Sequence, residues 1–144
     1  MNLFGVLEIS ASALAAERAR AELVASNLAN AETTRTPEGG PYRRQHIIFQ
    51  ARQPNGFARR LAALEDLHAR GVRVKGVLAD RSPAVQRFDP SHPDADTKGY
   101  VSYPAVNPIE EMANLMGAAR AYQLNVAAVQ ATKAMIQQSL EILR

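Results

Sequence analysis

The chain has 144 residues, of which 47% are hydrophobic and 22% are charged, and its formal net charge is +3. This balance excludes a disordered chain, a collagen-like chain and a bundle of membrane spans. The sequence contains no cysteine, which excludes disulfides, thiolate metal sites and a cysteine nucleophile. The charge is uneven, because residues 35–88 have a net charge of +7 and the segments on either side each have −2.

The first third of the chain predicts one long helix, from about Leu3 to Asn30, with no proline in it. One face of this helix repeats every seven residues, as in a coiled coil: Leu7, Leu14, Ala21 and Leu28. The helical pattern ends before the turn-forming segment 37–41. The first residues lack the basic start of a signal peptide, so we expect no cleaved signal.

The middle of the chain predicts short strands, at Arg44–Ala51, at 72–78 and at Val85–Phe88. Between the first two strands, residues 53–69 have helical spacing at Phe57, Leu61, Leu64 and His68. This segment is predicted to form either a short helix or a loop insertion. Residues 90–104 are rich in proline and are expected to be extended.

The last third predicts a second long helix, which begins at Asn107 and continues to the last residue. Asn107 is a good N-cap, Pro108 suits the first turn, and Glu110 adds a helix-start carboxylate. Two positions recur every seven residues and form a coiled-coil-type seam: Met112, Ala119, Val126, Lys133 and Leu140 at one, and Leu115, Tyr122, Val129, Ile136 and Leu143 at the other.

These elements predict a mainly helical α+β chain, with long N- and C-terminal helices that pair as a coiled-coil-like layer around a small β-rich insert. Residues 1–34 and 105–144 would together form the helical domain, and residues 35–104 the β-rich middle with its extended proline-rich loop. The helices are long relative to the core that one chain can provide. We therefore expect a subunit that completes its folding against other chains.

Candidate chemistry is sparse. His92, Asp94 and Asp96 could hold a divalent cation, but aspartates that cap turns in a proline-rich loop are the favoured interpretation. The sequence has no nucleophile elbow and no phosphate-binding loop, and the adjacent Glu110 and Glu111 point in different directions around their helix. We expect no catalytic, cofactor-binding or metal-binding residue and no small-molecule substrate.

The basic middle segment could contact either nucleic acid or acidic protein surfaces. Few aromatic residues are interleaved with its arginines, so we expect no nucleic-acid binding. We expect instead a charged contact face made of four residues: Arg43, Arg44, Arg73 and Lys75. The alternative function is a small basic coiled-coil adaptor or a nucleic-acid-binding protein.

Several blocks of sequence resemble bacterial flagellar rod and hook proteins. Residues 26–34, Ser-Asn-Leu-Ala-Asn-Ala-Glu-Thr-Thr, are similar to the N-terminal signature of that family, and residues 39–44 and 89–104 resemble its proximal-rod branch. Residues 120–126, Arg-Ala-Tyr-Gln-Leu-Asn-Val, resemble its C-terminal block, although Gln123-Leu124 replaces the usual Glu-Ala and Ala105 replaces a common Asn. The positions that carry the resemblance are Asn27, Asn30, Thr33, Thr34, Gly39, Gly40, Tyr42, His92, Pro93, Asp94, Asp96, Gly99, Tyr100, Asn107, Glu111, Met112, Arg120, Tyr122 and Asn125.

The resemblance implies a structural subunit of the basal-body rod in the periplasm, whose terminal helices form the inner layer of a hollow drive shaft. It also implies passage through the flagellar type III export apparatus without a cleaved signal. The implied partners are copies of the chain, the rod proteins FlgB, FlgF and FlgG, FliE and the membrane ring. The residues expected to pack helices within and between subunits are Leu7, Leu14, Leu28, Met112, Leu115, Ala119, Tyr122, Val126, Val129, Ile136 and Leu140.

Overall fold

The computed structural model describes residues 3–52 and 71–142. Two long helices flank four short strands along the chain, in the order α1 (Leu3–Ala29), β1 (Gln45–Ala51), β2 (Val72–Ala79), β3 (Val85–Phe88), β4 (Tyr100–Tyr103) and α2 (Pro108–Ile142). The predicted mainly helical α+β class is confirmed, and so are the three predicted strands. The predicted helix or loop at 53–69 lies outside the described residues.

Strand β4 differs from the sequence prediction, which gave only an extended proline-rich stretch there. β3 and β4 form a two-stranded antiparallel sheet in which Val85 pairs with Tyr103 and Phe88 pairs with Tyr100. The Phe88 and Tyr100 rings meet edge to face at 5.4 Å. The prolines of residues 90–104 favour a loop in sequence-based prediction, although the four residues of β4 pair with β3.

Strands β1 and β2 form the other two-stranded sheet. The backbone N–H of Arg52 donates to Gly71 O at one end, and that of Asp80 donates to Arg44 O at the other, so the strands run antiparallel. Between these two bonds β1 advances by eight residues and β2 by nine. One strand therefore has one extra residue, which is a β-bulge.

The start of α2 is capped as its sequence predicts. The Asn107 side-chain oxygen accepts a hydrogen bond of 3.0 Å from the backbone N–H of Ile109, and its carbonyl accepts one from the N–H of Glu111. Pro108 is the first helical residue, where its missing N–H costs nothing. Glu110 and Glu111 lie in the first turn, where the helix dipole favours negative charge.

The described chain divides into two compact units, and each helix contributes to both. One unit contains residues 3–19, 48–52, 71–76 and 118–142, and the other contains residues 20–47 and 77–117. The predicted division into a helical domain and a β-rich middle segment stays a prediction. No helix in the described part of the chain is long and apolar enough to cross a membrane.

The buried core of the described residues is thin and half polar. Its fully buried hydrophobic residues are Ala16, Val24, Val101 and Ala118, and its fully buried polar residues are Ser10, Ser12, Asn27, Glu111 and Thr132. Small apolar side chains bury little area and contribute correspondingly little to stability. Polar contacts therefore carry much of the specificity of this fold.

Candidate functional site

Asn27, in the last turns of α1, is the centre of a buried polar cluster. Its side chain is 2% exposed. The amide nitrogen donates to the Gln45 carbonyl at 2.9 Å and to Glu111 Oε2 at 3.0 Å, and the amide oxygen accepts from the Tyr42 hydroxyl and the Gln45 N–H, both at 2.9 Å. These four bonds use both donors and both lone pairs of the amide.

Glu111 supplies the negative charge of this cluster and is 1% exposed. Arg44 donates to its Oε1 from Nε at 2.8 Å and also from Nη2. A third arginine nitrogen, Nη1, lies 3.7 Å from the exposed carboxylate of Glu110. A buried carboxylate is tolerated because its two oxygens accept hydrogen bonds from a guanidinium and an amide.

We call Asn27, Tyr42, Arg44, Gln45 and Glu111 the Asn27 cluster. It connects the end of α1, the start of β1 and the first turn of α2. Three of its members, Asn27, Tyr42 and Glu111, are positions that carry the family resemblance. Their role in this structure is therefore internal, since their polar atoms are occupied by other residues of the same chain.

A second set of family positions meets at the loop between β3 and β4. The Thr34 hydroxyl donates to Asp94 Oδ2 at 2.8 Å, and the exposed Arg35 lies 3.6 Å from the same carboxylate. Asp96 accepts the backbone N–H groups of Lys98 and Tyr100, each at 2.8 Å. The two aspartates thus shape the loop through these hydrogen bonds. Among the described residues, no group of three potential metal ligands occurs.

Two aspartates in turns have a lowered pKa. The Ser91 side chain donates to Asp89 Oδ1 at 2.7 Å and lowers the pKa of that carboxyl. The backbone N–H and the hydroxyl of Ser82 do the same for the pKa of Asp80. These hydrogen bonds stabilise the ionised form of each carboxyl more than its protonated form, which is why the pKa falls.

Position 99 requires glycine because its backbone φ is positive and because a side chain there would have no room. Its φ is +82°, and a Cβ there would lie 2.9 Å from Phe88 Cε2. Gly39 and Gly40 also have positive φ, in the turn where Thr36 N–H donates to Gly40 O. These three family positions therefore hold backbone conformations that other residues rarely adopt.

A close contact between α1 and the start of β2 is not predictable from the sequence pattern. The Ser12 hydroxyl accepts from Val72 N–H at 3.0 Å and donates to Ile9 O at 2.7 Å. Gly71 is buried, and a Cβ on it would lie 2.2 Å from Ser12 Oγ. A serine on a helix and a glycine before a strand gave no signal that they touch.

The predicted seam residues divide into two groups in the single chain. Seven are half-buried: Leu7, Leu14, Leu28, Leu115, Val126, Val129 and Ile136. Four on α2 are exposed: Met112, Ala119, Tyr122 and Leu140. The fully buried residues of α2, Glu111, Ala118 and Thr132, lie one helical position before the predicted Met112 seam.

The four residues of the predicted charged contact face differ in their exposure to solvent. Arg43, Arg73 and Lys75 are exposed, and Arg73 donates to Gln50 across the sheet at 3.1 Å. Arg44 instead turns inward to Glu111. Of the remaining family positions, Asn30 donates to the Ser26 carbonyl, Asn125 donates to the Ala121 carbonyl, and Arg120 is exposed.

Comparisons with known proteins agree along the whole chain. Residues 7–35 match the family model described as flagella basal body rod protein, and residues 97–142 match that of the C-terminal region of flagellar basal body rod FlgEFG proteins. The flagellar basal-body rod protein FlgC of Borreliella burgdorferi is 40% identical, with 100% of this chain and 99% of that protein covered.

Two further relatives carry the same description. FlgC of Bacillus subtilis is 38% identical and FlgC of Salmonella typhimurium is 36% identical, each over 99% of this chain and 98–99% of the relative. The relatives are named as rod proteins, and the family is structural rather than enzymatic. This chain therefore belongs to the FlgC family of flagellar basal-body rod proteins and is a structural subunit of the rod.

Proposed function

We propose that this subunit polymerises into the proximal rod through the seam residues of α1 and α2. The observation that carries the proposal is the exposure of large apolar side chains on α2 of the single chain. Met112 is 53% exposed, Met116 62% and Leu140 63%, on a helix of 35 residues. Burying such residues against neighbouring subunits removes apolar surface from water and offsets the entropy of ordering the helices.

The thin core of the described residues supports the same proposal. Among residues 3–52 and 71–142, the fully buried hydrophobic residues are two alanines and two valines, which leaves much of the stability of these residues to be supplied by assembly. Head-to-tail contacts between identical subunits extend as open helical arrays when the rotation does not close. Such an array would form a hollow shaft that transmits torque and passes exported subunits.

The partners and the location in the cell follow from this assembly. We infer contacts with copies of the chain, with FlgB, FlgF and FlgG, with FliE and the membrane ring, and with the flagellar type III export apparatus. The rod would lie in the periplasm and receive the chain without removal of a signal peptide. The names of the relatives support the basal body as the location. The comparisons give no support to a cytoplasmic adaptor or a nucleic-acid-binding protein.

The exposed basic side of the β1–β2 sheet would contact acidic surfaces of neighbouring rod or ring proteins. Arg73 and Lys75 lie on β2 and are both exposed, within a segment of net charge +7. Contacts between exposed charges weaken as salt increases. Reversing both residues to Glu should release the subunit from isolated basal bodies at lower salt, whereas equal salt resistance would leave this surface without a contact role.

Substitutions in the seam test the polymerisation proposal. We expect Leu115→Asp and Val129→Asp to prevent rod assembly and motility, because each places a charge on a half-buried apolar position. The matched control is Gln138→Asp, on an exposed part of the same helix. Secretion of the variants must stay normal, which separates failed assembly from failed export. Normal motility in both seam variants would contradict the proposal.

A further inference from the structure

The two helices share a property that makes their mutual register ambiguous. α1 repeats Leu7, Leu14, Ala21 and Leu28, and α2 repeats Leu115, Tyr122, Val129 and Ile136, each at intervals of seven residues. A slip of one helix along the other by seven residues therefore matches similar apolar side chains again. Apolar repeats alone do not choose between such registers, whereas a single buried polar residue often does.

We propose that the hydrogen bond between Asn27 and Glu111 is a register lock, which holds α1 and α2 in one alignment and excludes the alignment slipped by seven residues. The two side chains are 84 positions apart in the sequence and join the helices directly, at 3.0 Å. Both are almost fully buried. A buried polar pair is costly unless every partner is present, so its geometry discriminates strongly between alignments.

The surroundings of the pair fix the orientation of both side chains. The Asn27 amide oxygen is held by the Tyr42 hydroxyl and the Gln45 N–H, which leaves one amide hydrogen aimed at Glu111. Arg44 holds the other oxygen of the Glu111 carboxylate. After a slip of one repeat, the residue opposite Asn27 would be Ala118, which has no side-chain acceptor for that hydrogen.

Asn125, another polar residue of α2, does not hold the two helices in one alignment as Glu111 does. Asn125 lies two repeats after Glu111, at the same position of the seven-residue pattern, and is half-buried. Its amide donates to the Ala121 carbonyl of its own helix at 2.8 Å. A bond within one helix is preserved in every alignment, so Asn125 gives the matched control.

The test measures the alignment itself, on the isolated full chain. Because the sequence contains no cysteine, Ala29→Cys and Ala113→Cys, both on exposed positions, accept two nitroxide labels without background. Pulsed electron–electron double resonance then reports the distance between the labels. A slip of seven residues moves one helix by about 10 Å along its axis.

The variant without the lock is Asn27→Leu, Arg44→Met and Glu111→Leu combined, which removes the polar pair and leaves no buried charge unpaired. We expect one distance in the labelled parent and in Asn125→Leu, and a second population displaced by up to about 10 Å in the variant without the lock. A single parental distance in that variant would overturn the proposal.

A second substitution keeps the test decisive if the combined variant does not fold. Asn27→Ser leaves a hydroxyl too short to reach Glu111 and should give the same displaced population. Loss of helix in both variants, with no displaced population, would also overturn the proposal, because the pair would then contribute stability only. The measurement does not involve the rod, so its outcome is independent of the polymerisation proposal.

Discussion

The Glu111 carboxylate lies in hydrogen-bonding distance of the Asn27 amide, and both side chains are almost completely buried. Few of the other buried side chains of the described chain are large, so this polar contact is prominent in a thin core. It joins the two helices at the point where α1 ends and α2 begins. The family positions at this point therefore act by organising the subunit.

Removing the buried carboxylate should destabilise the chain strongly. We expect Glu111→Ala to lower the free energy of unfolding by about 3–5 kcal/mol, because Arg44 and Asn27 both lose a buried partner. The neighbouring Glu110→Ala is the control, since its carboxylate is exposed and lies 3.7 Å from Arg44, and it should cost about 1 kcal/mol or less. Urea unfolding of both variants measures the difference, and equal losses would contradict the assigned roles.

The contact between α1 and the start of β2 predicts a second loss of stability. Gly71→Ala places a Cβ against the Ser12 side chain, and we expect it to lower the free energy of unfolding by about 1–3 kcal/mol. Gly76→Ala, inside strand β2, meets nothing within 4 Å and should change the free energy of unfolding by less than about 0.5 kcal/mol. Thermal unfolding of the two variants side by side tests this; a stable Gly71→Ala variant would show that the helix and strand do not approach so closely.

Substitution of alanine for two glycines, Gly99 and Gly117, should change the free energy of unfolding in opposite directions. Gly99→Ala combines a positive φ with a clash against Phe88, so we expect a loss of about 1–3 kcal/mol. Gly117→Ala lies inside α2 with open space around it, and we expect a gain of about 0.5–1 kcal/mol, because glycine is a poor helix former. Denaturant midpoints give both values. A gain at Gly99 or a loss at Gly117 would contradict the local geometry.

The aspartates in turns predict a contribution to stability that depends on pH. The pKa of Asp89 is lower in the folded chain than its ordinary value of 3.8, mainly because the Ser91 side chain donates to it. Its contribution to stability is therefore present above pH 3.8 and is lost as the pH falls below that value.

The local variant Ser91→Ala should raise the pKa of Asp89 toward its ordinary value and leave that of Asp80 unchanged, since Asp80 is bonded by Ser82 instead. Carboxyl titration by nuclear magnetic resonance reads the two groups separately. Ser82→Ala is the reciprocal control. A pKa of Asp89 that does not move in Ser91→Ala would show that the hydroxyl bond is not the cause.

The two helices of this chain are predicted well because residues within and next to each helix mark its extent. Asn107 and Pro108 mark the start of α2, and no proline interrupts either helix before its end. Strand β1 was equally recognisable from its run of β-branched and aromatic residues. Strand β4 is not predicted because it lies within residues 90–104, whose prolines favour an extended loop over a strand.

The candidate site could be predicted only in part. Asn27, Tyr42 and Glu111 were singled out by resemblance, but no local rule shows that a residue of α1 meets one 84 positions later. The sequence places Arg44 on the charged contact face beside Arg43, because a sequence does not reveal which of two adjacent arginines turns inward. The contact of Ser12 with Gly71 and Val72 is not predicted because the Ser12 hydroxyl bonds a backbone N–H, which every residue except proline offers.

A structural subunit of the flagellar rod must be present in purified hook–basal bodies, where quantitative mass spectrometry can measure it. The cytoplasmic fraction of the same cells serves as the reference. We expect the chain to be enriched in the basal body, in a fixed ratio to the other rod proteins. Absence from the basal body, with the protein retained in the cytoplasm, would contradict it.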